Sequence, residues 1–289
     1  MPSRASDPKD SKICAEAEKI IGSHEWHSLR GVRGGTGAQG VLLQRLLGLD
    51  ETNNQKLPDA KGGVGIEVKS HSKDGLVTLL HLTPIGGSET VTAMMETYGI
   101  DSVEKLSFRY TIRNGRSERF KLEIRDGLLH CDPCPSYKKG PSACWKTKEI
   151  ERESIRKLSH LLLFRTSKRT DSSGDPEVRY DSCMYCTDMI SGADFVQAIM
   201  DGVIAVDFDI SLTKHDNYKH DHGSKLRLSF KDFPRVWERI TPIGDFNKAS
   251  RKRAPKKNLN LVSAAEIKVL QPAQPAQKKL VQGDLFREP

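Results

Sequence analysis

The sequence predicts a mixed α/β fold of the α+β kind, a sheet-rich body with helices between and around the strands. Three observations predict it. Strand-like apolar runs recur along the body, several in neighbouring pairs separated by polar turns. Segments with apolar residues at helical spacing fall between those runs. Charge is segregated: residues 248–289 contribute +7 of the formal +8, which leaves a nearly neutral body of globular composition ahead of a basic tail.

The elements follow in order. Residues 1–28 form a polar N-terminal lead-in, residues 29–243 the folded domain, and residues 244–289 a basic, disordered tail. A glycine-rich entry from Gly34 opens a short helix whose apolar residues run from Val41 to Leu47, with Gly48 as its stop. Residues 65–70 (GIEVKS) and 76–82 (LVTLLHL) flank the polar turn 71–75 and predict a hairpin. Ser88 and Glu89 open a helix through Met95. Residues 105–112 and 119–124 are strands around a turn containing Asn114 and Gly115, a second predicted hairpin. Residues 149–163 begin helical and end strand-like, and residues 178–186 read as a strand. An amphipathic helix over 192–202 precedes a buried strand over 203–212; residues 225–230 form a last arm that leads into a helix over 232–240. The Pro/Ala/Gln-rich text QPAQPAQKK then marks an extended linker.

With 36% hydrophobic and 29% charged residues the chain has enough apolar mass for a core, which excludes collagen-like, coiled-coil and wholly disordered classes. No window approaches the ~18 uninterrupted apolar residues of a spanning helix, so no membrane partner is expected, and a cytoplasmic, nucleoid-associated location is. The basic tail suits nucleic acid or another anionic surface, since a cationic segment gains affinity by releasing counterions; a solvated linker is the equal alternative.

One constellation carries chemistry. Pro58-Asp59 is followed by Glu67-Val68-Lys69. Phosphodiester hydrolysis needs a metal that neutralises the phosphate and activates water, and a cation that orients that water. Asp59 and Glu67 supply the oxygen ligands that Mg²⁺ prefers, with Mn²⁺ as a substitute. On a strand Lys69 shares a face with Glu67, while Ile66 and Val68 face the other way. His71 continues the Glu67 face and should look into the same cleft. By itself this triplet is a short motif, and an exposed Glu-Lys pair would read the same.

The surrounding text is more specific. T-G-x-x-G-x-x-L-x-x-L-L-G (36–48), N-N…P-D…G-I-E-V-K-S-H (53–71), T-L-L-H-L-T-P (78–84), F-V-Q-A-I-M-D-G-V-I-A-V-D-F-D (195–209) and H-D-H-G-S-K-L-R-L (220–228) occur in that order. Together they resemble the MvaI/BcnI restriction endonuclease family, whose nearest relative is the mismatch-repair nicking enzyme MutH. The resemblance implies a PD-(D/E)XK fold, with a mixed sheet flanked by helices and a catalytic lobe and a DNA-reading lobe around a cleft. It implies Asp59 and Glu67 as metal ligands, Lys69 as the water-orienting residue and double-stranded DNA as partner. The family often carries a Glu on the helix before Pro-Asp; the matching position here is Gln44, whose amide can hydrogen-bond water but cannot balance metal charge. His222 lies in the loop that in the family approaches DNA, and Lys214, Lys219, Lys225 and Arg227 flank it as candidates for backbone contact.

Two further features stand outside that block. Cys131 and Cys134, with Cys183 and Cys186, form two C-x-x-C pairs that could close a structural Zn²⁺ site; buried unliganded thiols are the alternative. In the tail, Gln282-Gly283-Asp284-Leu285-Phe286 resembles the bacterial sliding-clamp-binding pentapeptide, departing from it at Gly283, and makes Gln282, Asp284, Leu285 and Phe286 candidate clamp contacts. The expected activity is a Mg²⁺-dependent DNA endonuclease that nicks or cuts. A mismatch-repair nuclease recruited by the clamp, a sequence-specific restriction enzyme and a DNA-binding module without catalysis remain open as its roles. A single active site per chain suits a monomer.

Overall fold

A five-stranded sheet with a separate apolar core on each face organises the described part of the chain. The computed structural model describes residues 8–33, 37–49, 65–72, 75–215 and 219–244. The chain divides into residues 1–251 and 252–289, and every described residue lies in the first unit.

The organising sheet runs β1 (His27–Ser28), β10 (Pro176–Met189), β9 (Leu161–Thr170), β2 (Glu67–His71), and β13 (Trp237–Ile243) also pairs with β10. Strand β2 is parallel to β9, with Glu67 opposite Leu161 and Lys69 opposite Leu163. Period-two alternation on β9 sends Leu162 and Phe164 to one core and Leu161 and Leu163 to the other. The first core is closed by α1 (Pro8–Ser23) and α2 (Ala38–Leu46), through Ala17, Ile21, Leu43 and Leu47.

Beyond the second core lies a five-stranded antiparallel sheet in the order β3 (Leu76–Leu82), β12 (Lys219–Ser229), β11 (Ala205–Thr213), β5 (Lys105–Ile112), β4 (Ile100–Asp101). A three-stranded sheet of β6 (Phe120–Arg125), β7 (Leu128–Pro133) and β8 (Ala143–Lys146) adds Phe120, Leu122, Leu129 and Trp145 to that core. Helices α3 (Gly87–Tyr98), α4 (Thr147–Leu158) and α5 (Gly192–Met200) complete it with Met94, Ile150 and Phe195. The predicted α+β class and most element positions agree with this arrangement.

Four expectations are corrected. The polar lead-in contains α1, because Ile13, Ala17, Ile20 and Ile21 form a narrow helical stripe that the first core covers. Residues 65–70 and 76–82 do not form a hairpin: β2 joins β9 and β3 joins β12, in different sheets. Strands β5 and β6 do not pair either, since β5 lies between β11 and β4 while β6 pairs β7. The predicted helix over 232–240 is a 3-10 helix, Phe230–Arg235, followed by β13. Pro234 supplies no amide hydrogen for a continuing helix, and Trp237 buries its ring while its indole N–H donates to the Leu158 carbonyl at 2.9 Å.

Candidate active site

Glu67 opens β2, and its amide donates to the His160 carbonyl at 3.0 Å, which registers the strand against the α4–β9 junction. The carboxylate is buried, with Lys69 Nζ 2.8 Å from Oε1 and Lys157 Nζ 3.7 Å from Oε2. Both lysines are largely covered, their side chains 18% and 14% exposed, so the pairings lie in low dielectric and a missing partner would be costly. Among the described residues, buried Oε2 accepts no hydrogen bond.

These groups line a cleft of about 910 Å³. Gly37, Gly40, Val41 and Gln44 of the α2 segment form one part of its lining, and Leu79–Thr83 on and after β3 form another. Trp145, Lys146, Glu149, Arg152, Glu153, Arg156 and Lys157 complete it from the β8–α4 side. Helix α2 is tied to the organising sheet by the Tyr180 hydroxyl, which donates to the Gln39 carbonyl at 2.7 Å, and by Gln39 Nε2, which donates to the Ser70 carbonyl at 3.4 Å. On α4, Glu153 is shared by Arg152 at 3.4 Å and by Arg156, whose Nε donates to it at 3.1 Å. Among the described residues the lining holds five Lys or Arg side chains against three Glu, a balance that suits a polyanion.

The structure thus brings together Glu67, Lys69 and Gln44. Asp59 lies outside the described residues, as do Gln282, Asp284, Leu285 and Phe286. His71 does not line the cleft: its half-buried ring packs 5.5 Å from that of Phe230, which also carries Arg165 at 5.1 Å. Lys225 and Arg227 sit on the second sheet, where Lys225 pairs with Asp209 at 3.1 Å and Arg227 with Asp207 at 3.0 Å. Lys214 pairs with Asp101 at 2.5 Å. Lys219 and His222 fall at the start of β12, and at those two positions the backbone alone is described.

Sequence reasoning missed Lys157, Arg152, Arg156, Lys146, Trp145 and His81, all of which line the cleft. The signal lay in TKEIERESIRKL, a helix with a basic last turn that feeds directly into the strand beside β2.

The zinc expectation is corrected. Cys131 lies on β7 and Cys134 just beyond it, while Cys183 and Cys186 lie on β10 in another sheet. The odd spacing on β10 turns those two thiols to opposite faces, Cys183 into the first core and Cys186 into the second. Among the described residues no group of three or more His, Cys, Asp or Glu side chains is placed to hold a metal. Burial pushes the Cys131 and Cys183 thiols well up, and that of Cys186 up to about 12, so these are protonated core groups.

For a hard cation the fit is better. Among the described residues Glu67 Oε2 is a buried oxygen without a hydrogen bond, and Gln44 lines the same cleft.

A family model described as the MvaI/BcnI restriction endonuclease family matches residues 17–237. No curated protein matches. Among solved structures, the restriction endonuclease MvaI in complex with its cognate DNA substrate has a TM-score of 0.67 at 20% identity, covering 83% of this chain and 100% of that one. MvaI in the absence of DNA has a TM-score of 0.46 at 19% identity, covering 83% of this chain and 99% of that one. The first likeness establishes the restriction-endonuclease fold.

Proposed function

The chain belongs to the MvaI/BcnI restriction endonuclease family, and from that premise we propose that it is a Mg²⁺-dependent endonuclease hydrolysing phosphodiester bonds of double-stranded DNA at the Glu67–Lys69 site. One observation carries this reading: the ion-paired Glu67 and Lys69 lie in a cleft whose α4 side presents Arg152, Arg156 and Lys157, with Lys146 just ahead of the helix.

Asp59 and Glu67 would hold the metal, which when bound supplies charge neutralisation at the phosphate and a water of lowered pKa. The remaining work falls to the chain. Lys69, fixed by its bond to Glu67 Oε1, presents N–H donors that orient the attacking water. Arg152, Arg156 and Lys146 hold the backbone phosphates along the cleft, contacts that position the duplex without reading sequence. Gln44 hydrogen-bonds water in the cleft without adding negative charge, which lowers affinity for the metal relative to a Glu there. His71, Lys214, Lys225 and Arg227 lie away from the cleft lining, and we assign them, with Lys219 and His222, to contacts with the duplex outside the scissile phosphate.

Sequence-specific restriction is the role that family membership favours. A mismatch-repair nickase is the second reading, favoured by Gln282-Gly283-Asp284-Leu285-Phe286, which would tether the enzyme to the sliding clamp. The test is incubation with supercoiled plasmids, with and without a defined mismatch, in Mg²⁺ and then Mn²⁺. Discrete fragments from both plasmids establish restriction, and nicking confined to the mismatched plasmid establishes repair. Intact plasmid in both metals refutes the nuclease reading.

A further inference from the structure

Glu67 meets two lysines on unequal terms. Lys69 hydrogen-bonds Oε1 at 2.8 Å, whereas Lys157 stands 3.7 Å from Oε2, close enough to balance its charge and too far for a hydrogen bond. We propose that Lys157 is a placeholder cation: it compensates Oε2 while the site holds no divalent ion and gives up that oxygen when one is taken up. The inference rests on the metal-dependent reading above and assigns a role to a residue on α4 rather than on the catalytic strand.

Three features support it. A carboxylate this buried is costly to leave uncompensated, and in the metal-free protein an ammonium stands at each of its two oxygens, Lys69 at Oε1 and Lys157 at Oε2. Lys157 is aimed there because its own helical neighbour four residues earlier, Glu153, is already engaged by Arg152 and Arg156. Its absence of a hydrogen bond to Oε2 makes exchange inexpensive, while the bonded Lys69 keeps its place. The backbone that carries Lys157 is fixed at both ends of α4, where Thr147 Oγ1 donates to the Gly127 carbonyl at 3.0 Å and the Trp237 indole donates to the Leu158 carbonyl at 2.9 Å.

The test is Mn²⁺ binding to the full chain without DNA, measured by electron paramagnetic resonance on wild type, Lys157→Met, Lys157→Arg and Glu67→Gln. Removing a positive charge about 4 Å from a ligand oxygen should tighten Mn²⁺ binding in Lys157→Met by about tenfold. Lys157→Arg keeps the charge and should stay within about twofold of wild type. A gain in affinity cannot arise from a damaged fold, so the expected result is not one that misfolding imitates. Equal or weaker binding in Lys157→Met, with wild-type binding lost in Glu67→Gln, overturns the placeholder role alone. Wild-type Mn²⁺ affinity in Glu67→Gln overturns both this role and the metal site at Glu67.

Discussion

At the scale of single residues, the site is built around one buried charge. Glu67 stays compatible with the interior because Lys69 and Lys157 approach its two oxygens from different elements, and each substitution there removes a different function. Lys69→Ala should lower plasmid cleavage by about 10²–10⁴-fold, the range for a side chain that handles the proton or water in the reacting complex. Duplex binding in Ca²⁺, measured by gel shift, should stay within a few-fold, since the α4 cations remain; unchanged cleavage would remove Lys69 from the chemistry. The Glu67–Lys69 pair was legible from sequence because a two-residue spacing on a strand places two side chains on one face. Lys157 was not, since its approach depends on which strand lies beside β2. The cysteines were misread for a related reason: motif spacing says that two thiols are near in sequence, whereas strand alternation sends Cys183 and Cys186 into different cores.

Among the elements, α4 decides the geometry of the cleft. It is pinned by Thr147 and Trp237 at its ends, and at its middle α5 packs against it through Gly192. A Cβ at Gly192 would lie 2.9 Å from both the Glu151 carbonyl oxygen and the Glu151 Cβ, a separation that only a shift of one helix relieves. Gly192→Val should therefore destabilise the fold by about 1–3 kcal/mol, the usual cost of overpacking a closed contact. It should also move Lys157 relative to Glu67. Thermal unfolding gives the first effect and Mn²⁺ affinity the second, and an unchanged melting temperature would show that the α4–α5 contact is not tight. Helices and strands were mostly placed correctly from apolar periodicity, but strand partners were not. Period-two alternation specifies which face of a strand is buried and is silent on its neighbour, so both predicted hairpins failed even though their strands exist. Strand β2 illustrates the physical reason: it runs parallel to β9, and a polar turn after it does not oblige the chain to fold back.

For the molecule as a whole, the two cores share one sheet, and buried thiols in both link its stability to alkaline pH. Cys131 and Cys186 lie in the second core and Cys183 in the first, and burial raises the pKa of each. In the unfolded chain these thiols ionise near 9.0, while folded Cys186 holds its proton up to about 12. A raised folded pKa contributes stability that is fully present below the unfolded value. Above it the unfolded state binds fewer protons than the native state, so stability falls as pH rises, until the folded thiol itself ionises. The decline is about 1.4 kcal/mol per pH unit for each such thiol. Urea unfolding at pH 8, 9 and 10 should therefore show a midpoint that is nearly level to pH 9 and then drops. Cys186→Ala should start lower, from the small cavity it leaves, and lose less on going from pH 9 to 10, because one of the linked protons is gone. An identical decline in wild type and Cys186→Ala would mean that this thiol is not held protonated by the core. Because the linkage depends on a core that the organising sheet shares with the cleft, activity should fail only where the urea midpoint has already fallen, and cleavage assayed across the same pH series tests that order.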